Sequence, residues 1–394
     1  MYSWIEQECE QLKEEVIMLR RDFHAHPELG TKEVRTSEIV EKYLNDLGIP
    51  TRRAFHTGVI GLLEGGKPGK CLLLRADMDA LPVQEENDVP YCSTVDGVMH
   101  ACGHDGHTAM LLVAAKILAK HKDVLAGSVK FVFQPNEEES GAIPMVAEGA
   151  LENPPVNASF AMHLWSSIPS GTIGLNAGPV MGEMYNFRIH LEGLSAHSST
   201  PSKGVDAILC AADIIQTAQV LQTREIDPIE TTCLSFGKIE GGTMSNIIAD
   251  HVDIEGCMRY LYDGSNDGPQ HPRKRLERIV TSISEAYRVK SEITFFVSNY
   301  VLINDEKMVE FAQEHVASNL REVEKVVPYV TMAGEDFSEF SSHSGIPGVF
   351  MFVGIGNHDK GTDFPHHNNH FNIDEDMLPV GVKAHVLMAT EFLK

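Results

Sequence analysis

The segments CLLLRAD (71–77), GHTAMLLVAAKILAKH (106–121) and SVKFVFQ (128–134) decide the fold. Two β-rich runs flank a helix-length stretch that is apolar almost all the way round, so all three read as buried. A strand apolar on both faces needs helices above and below it, which is the arrangement of a mostly parallel sheet in an α/β domain. The rhythm extends outward in both directions. VIGLLEG (59–65) precedes it, and a short helix near 142–150 and the run ASFAMHLW (158–165) follow. Upstream, Ile5, Leu12, Val16, Ile17, Leu19 and Phe23 recur at helical spacing over 4–24, HPELG stops that helix, and a second helix fits 32–47.

From about residue 185 the rhythm changes. YNFRIHLEG reads as a strand, 204–222 as a helix, TTCLSFGKIEGG and IIADHVDIEGCMRY as strands, 272–287 as a charged helix and SEITFFV as a last strand. The order β-α-β-β-α-β is the split βαβ pattern of ferredoxin-like domains. The expected organisation is a first part of a larger domain over 1–184, a small inserted domain over 185–297, and the rest of the larger domain over 298–394. That last part predicts a helix at 305–319, a strand near 326–330, a helix after Glu335, the strand GVFMFVG (348–354) and a helix at 375–392.

Composition narrows the function. The chain has 394 residues with 32 basic and 56 acidic side chains, a net charge of −24, which argues against nucleic acid as a partner. No apolar stretch is long enough for a membrane span, and the charged N-terminus lacks the apolar centre of a signal peptide. Seven scattered cysteines read as reduced thiols in cytoplasm. Histidine is the unusual residue: 19 are present against 9 tyrosines, bunched at His100, His104 and His107 and again at His358, His366, His367 and His370.

In His100-Ala-Cys102-Gly-His104 a thiolate and an imidazole two residues apart, around a glycine, can face one metal ion. Gln134-Pro-Asn-Glu137-Glu138-Glu139 sets three carboxylates at a strand end, either a solvated acidic loop or one metal ligand beside a proton-transfer group. His163 ends ASFAMHLW and reads as a core histidine or a ligand. The segment PHHNNHFNIDED is a polar loop or the source of a ligand from far along the chain. Asp77, Cys102, His104, Glu137, Glu138 and His163 all follow predicted strands, and in open α/β sheets sites form where loops leave the carboxyl ends of strands. That convergence favours a metal site.

The series RRDFHAHPELG, LLLRADMDALPV, HACGHDGHTAML, FVFQPNEEE, AMHLW, GGTMSN, MAGEDF and HHNNHFNIDED, running from about residue 20 to the C-terminus, resembles the metal-dependent aminoacylase/carboxypeptidase superfamily. Within it the similarity is to the amidohydrolase branch of hippurate hydrolases, N-acyl-amino-acid amidohydrolases and auxin-conjugate hydrolases. The resemblance implies two divalent ions per subunit, commonly manganese, zinc, cobalt or nickel. It implies Cys102, His104, Glu138, His163 and His367 as ligands, His367 being the histidine four residues before Phe371. It implies Glu137 as general base and, in the inserted domain, His197 as an oxyanion donor, with Asn246 nearby and dimerisation through that domain. Asp79 is assigned to orienting the ligands, Asp77 and Asp79 being read as alternating on one strand. Arg259 is either a fork for a substrate carboxylate or an ordinary charged strand end. The chain departs from the family pattern at Glu139–Pro144, at Leu194–Ala196 and in the HHNNH loop, all of which bear on pocket shape. The reading is an amidohydrolase of N-acyl amino acids. Its alternatives are a dipeptidase or carboxypeptidase using the same chemistry, and a non-catalytic metal-dependent binding protein.

Overall fold

A computed structural model describes residues 3–262 and 270–394. The chain divides into two compact units, one of Met1–Val180, Leu302–Val330 and Asp336–Lys394, the other of Met181–Val301 and Thr331–Glu335. Relative to the expected insertion over 185–297, the second unit takes in a few residues at either end and gains a short segment from further along the chain.

In the first unit, α1 (Ser3–Gln11), α2 (Lys13–Ala25) and α3 (Val34–Asp46) precede β1 (Thr51–Ala54), β2 (Gly58–Glu64) and β3 (Lys67–Asp77). Then come α4 (His104–Lys120), β4 (Ala126–Gln134), α5 (Ala142–Ala147), β5 (Ala158–Pro169) and β6 (Thr172–Gly174). β7 (Gly178–Met181) stands where the chain leaves this unit. The second unit runs β8 (Glu183–Glu192), α6 (Ala207–Ala218), β9 (Thr232–Gly241), β10 (His251–Tyr260), α7 (Pro272–Tyr287) and β11 (Lys290–Asn299). The chain returns through β12 (Leu302–Asn304), α8 (Glu306–His315), β13 (Lys325–Val327), β14 (Gly348–Gly356) and α9 (Leu378–Phe392).

The eight-stranded sheet has the order β1-β2-β4-β3-β5-β14-β6-β13. Its central strands β4, β3, β5 and β14 are mutually parallel, and antiparallel pairs flank them. As the apolar run 71–77 predicts, this half of β3 is buried throughout, and α4 buries all but three of its residues. α4 packs against α2 and α9 on one side of the sheet. The second unit is a four-stranded antiparallel sheet, β11-β8-β10-β9, with α6 and α7 contributing to its core. Its strand order is that of the ferredoxin-like β-α-β-β-α-β pattern.

Three local expectations change. The helix over 4–24 breaks at Leu12, whose ψ of 7° lies outside the helical range, while its hydrogen bonds on either side are kept. The helix expected after Glu335 is only a 3-10 turn, Asp336–Phe340. β3 ends at Asp77, so Asp79 lies beyond the strand and does not alternate on it. Among the described residues no helix is long and apolar enough to cross a membrane.

Candidate metal centre

β3 pairs with β5 only from Leu72 and Ala158 to Arg75 and Ala161. β5 runs on to Pro169 alongside β14, so His163 stands within the strand but past the last residue paired to β3. Around this step gather the loop before α4, the turn after β4 and the loop before α9, all within the first unit.

Cys102 and His104 flank Gly103, whose φ of +96° is a conformation L side chains rarely adopt. That residue lets the backbone turn from the thiol directly into the first turn of α4. Glu137 and Glu138 lie in a 3-10 turn entered through Asn136, which has a left-handed φ of 57°. His367, φ 64°, donates its backbone N–H to the carbonyl of Ala101 at 2.8 Å, which brings the distal loop against Cys102.

The donor atoms meet in small groups. Cys102, His104 and His163 offer atoms within 4.8 Å of one another, and so do Cys102, Glu138 and His367, and His104, Glu137 and Glu138. Cys102 is shared by the first two groups. His163 Nε2 lies 3.5 Å from Cys102 Sγ, and His367 Nε2 lies 3.2 Å from Glu138 Oε1. His104 Nε2 is buried and has no hydrogen-bond partner, while 4.0 Å away stands Glu137 Oε2. An orphaned imidazole nitrogen among a thiol and carboxylates fits a cation that takes its lone pair.

The electrostatics agree with a cation's pocket. Cys102 and Glu138 beside it push His367 up to about 10. Burial works against a proton on His104, but Asp77 and Cys102 outweigh it and hold the ring well above its usual value. Burial, together with the neighbouring His107, keeps His163 neutral.

Outer contacts orient these groups. His104 Nδ1 faces the Asp79 carbonyl at 2.9 Å and Asp79 Oδ1 at 3.2 Å, and Asp79 Oδ2 accepts the Glu138 N–H at 3.2 Å. His366, the neighbour of His367, instead turns Nε2 to the Leu164 carbonyl at 3.0 Å and stacks near Trp165. His197, Asn246 and Arg259 belong to the second unit. There Ser198 donates its N–H to the Asn246 carbonyl at 3.0 Å, which brings the His197 and Asn246 loops together, and Arg259 Nη1 donates to the Met332 carbonyl at 2.9 Å.

Sequence reasoning missed two supports. Arg20, fully buried, donates to Asp105 Oδ2 at 2.8 Å, Glu375 Oε1 at 3.2 Å and Asn372 Oδ1 at 3.0 Å, which ties α2 to the first turn of α4 and to the segment after His367. Glu33, also buried, accepts from Thr57 Oγ1 at 2.5 Å and from the Asn136 N–H at 2.9 Å, and so anchors the turn that carries Glu137 and Glu138. The signal for both was the segment RRDFHAHPELGTKE, whose charged residues do not fit a merely solvated helix end.

The profile of the peptidase family M20/M25/M40 matches residues 73–391. The chain is 36% identical to thermostable carboxypeptidase 2 of Saccharolobus solfataricus, over 98% of each chain. It is 35% identical to N-acetyl-L-cysteine deacetylase of Bacillus subtilis, over 93% of this chain and 85% of that one. Among solved structures, the YXEP protein of Bacillus subtilis, a dinuclear metal binding peptidase from the M20 family, superposes with a TM-score of 0.84 at 32% identity, covering 98% of this chain and 99% of that one.

Glu33 gives this part of the fold a pH signature. Burial pushes its carboxyl up to about 7, so the native state keeps a proton that the unfolded chain has already released. Stability from this group is therefore fully present below about pH 4.5 and is lost as pH rises through about 7. In urea unfolding of metal-free protein, wild type should lose stability relative to Glu33→Gln from about pH 5 to about pH 8, by up to about 3 kcal/mol. A pH-independent difference between the two would show that Glu33 is ionised throughout.

Proposed function

The chain belongs to the peptidase family M20/M25/M40 and is a metal-dependent amide hydrolase, and from that premise we propose that it cleaves the amide of an N-acylated amino acid or a small related conjugate. The observation that carries this reading is the convergence of Cys102, His104, Glu138, His163 and His367 in two donor groups sharing one thiol, with a further carboxylate, Glu137, at their edge. These five residues would hold two divalent ions; thiolate and imidazole donors suit zinc, cobalt or nickel, and the Glu138 carboxylate also admits manganese. When bound, the ions activate a water and polarise the scissile carbonyl.

Glu137 accepts the proton of the attacking water and returns it to the departing amine. Asp79 holds His104 so that Nε2 faces the donor group. His197 supplies a donor for the developing oxyanion: its Nδ1 accepts the Ser199 N–H at 3.1 Å, which leaves the ring proton on Nε2, and the ring is exposed. Asn246, on the adjoining loop, and Arg259, which keeps further N–H groups for a carboxylate, bind the substrate.

The second unit serves as the dimerisation domain. β9 is an edge strand of its sheet, with Ile239 53% exposed, and α6 turns out Ile208 and Leu209 at 48% and 55% exposure. Apolar side chains beside an open sheet edge are what a second copy covers. All seven thiols are free, Cys102 among the donors, which suits the reducing cytoplasm. A second reading, cleavage of a peptide bond by the same residues, is favoured by the similarity to a carboxypeptidase along nearly the whole chain.

Loaded with each of the four metals in turn, the protein should hydrolyse N-acetyl- and N-benzoyl-amino acids faster than dipeptides. The reverse order selects the peptidase, and metal-dependent binding without turnover selects a binding protein. Glu137→Gln should lower kcat by about 10²–10⁴ while metal content by elemental analysis is unchanged; near-wild-type turnover removes Glu137 as the base. The double variant Ile208→Glu/Leu209→Glu should elute as a monomer in light-scattering chromatography where wild type is a dimer. A monomeric wild type rules the interface out.

A further inference from the structure

His107 shares the first turns of α4 with His104, and its ring centroid lies 5.5 Å from that of His104 and 4.5 Å from that of His163. Together with Asp77 and His104 it also forms a group of the right size for a metal ion. Counting protons on its ring nitrogens gives a different assignment.

The backbone N–H of Leu164 donates to His107 Nε2 at 2.9 Å. An amide N–H can only donate, so Nε2 is unprotonated and its lone pair is taken. The ring proton is therefore on Nδ1, 2.6 Å from Asp77 Oδ1, which accepts it. Neither nitrogen keeps a lone pair for a metal. Asp77 is itself fixed from the other side, with Oδ2 accepting from Arg75 Nη1 at 2.6 Å.

The carbonyl of the same residue meets two further histidines. The Leu164 carbonyl faces His163 Nδ1 at 2.8 Å and His366 Nε2 at 3.0 Å, and a carbonyl can only accept. His163 thus carries its proton on Nδ1, which leaves the Nε2 lone pair toward Cys102. β3 has stopped pairing with β5 at Ala161, so imidazoles satisfy the Leu164 N–H and C=O in place of a strand.

We propose that His107 is a positioning residue and not a ligand: it clamps the Leu164 backbone to Asp77, and through that backbone sets the tautomer and aim of His163. The inference rests on the reading of the cluster as a metal centre.

The test measures metal binding, not turnover. Cobalt-loaded His107→Phe should hold as many ions per chain as wild type and keep the positions of the visible cobalt bands, while competition with a chromophoric chelator shows affinity down about 10–100-fold. His107→Gln, whose side-chain oxygen can accept the Leu164 N–H, should recover most of that loss. Loss of an ion, or displaced cobalt bands in both variants, makes His107 a ligand and overturns the proposal, as does an unchanged affinity in His107→Phe. A measurement on wild type covers a variant that fails to fold. With ¹⁵N-labelled histidine, zinc should shift the Nε2 resonance of His163 and leave His107 in the Nδ1–H tautomer; a zinc-induced shift at His107 Nε2 overturns the proposal. Wild type that takes up no metal refutes the metal centre itself, an outcome distinct from either.

Discussion

The pairing of β3 with β5 ends at Ala161 while β5 continues for eight more residues, and the site is organised by what that leaves unpaired. A buried N–H or C=O without a partner costs about 1–3 kcal/mol, so the Leu164 backbone must find partners. It finds three imidazoles. His107 takes the N–H, and His163 and His366 share the carbonyl. Below them Asp77, Arg75, Gln134 and Asp336 form a continuous buried chain, with Arg75 Nε on Gln134 Oε1 at 2.8 Å and Gln134 Nε2 on Asp336 at 2.8 Å. These side chains tie the end of β3 to the end of β4 and to the 3-10 turn Asp336–Phe340.

Two buried arginines explain how an anionic donor set is tolerated. Arg75 and Arg20 are both essentially inaccessible, and each neutralises a carboxylate next to the cluster, Asp77 and Asp105. The Cys102 thiol and the Glu138 carboxylate stand instead beside the imidazoles of His104 and His367. The contrast separates supporting carboxylates, compensated by fixed guanidinium groups, from those left for a removable charge.

Most of the fold was legible because burial writes itself into local composition. The two-sided apolar runs of β3, β4 and β5 and the nearly all-apolar α4 specify a covered parallel sheet, and the change to alternating strands marks the second unit. The bounds of α7 were readable to the residue, Pro272 being a start signal. Short strands such as β1, β6 and β12 were not, since three or four residues carry no periodicity. Nor was the packing of Thr331–Glu335 with the second unit, which depends on contacts remote in sequence.

For the site, the residue types and their order along the chain were determined by the sequence alone: a thiol and imidazole around a glycine, paired glutamates after a strand, a histidine in the next strand and a histidine pair near the C-terminus. What each histidine does was decided only by tertiary structure. His366 and His367 are adjacent, yet one turns to the Leu164 carbonyl and the other to Glu138. His104 and His107 share the start of one helix, yet one keeps a bare nitrogen while the other has both engaged. The reason is that an imidazole has one proton and one lone pair to place. Which nitrogen holds which depends on backbone groups and carboxylates that the fold brings from more than 200 residues away.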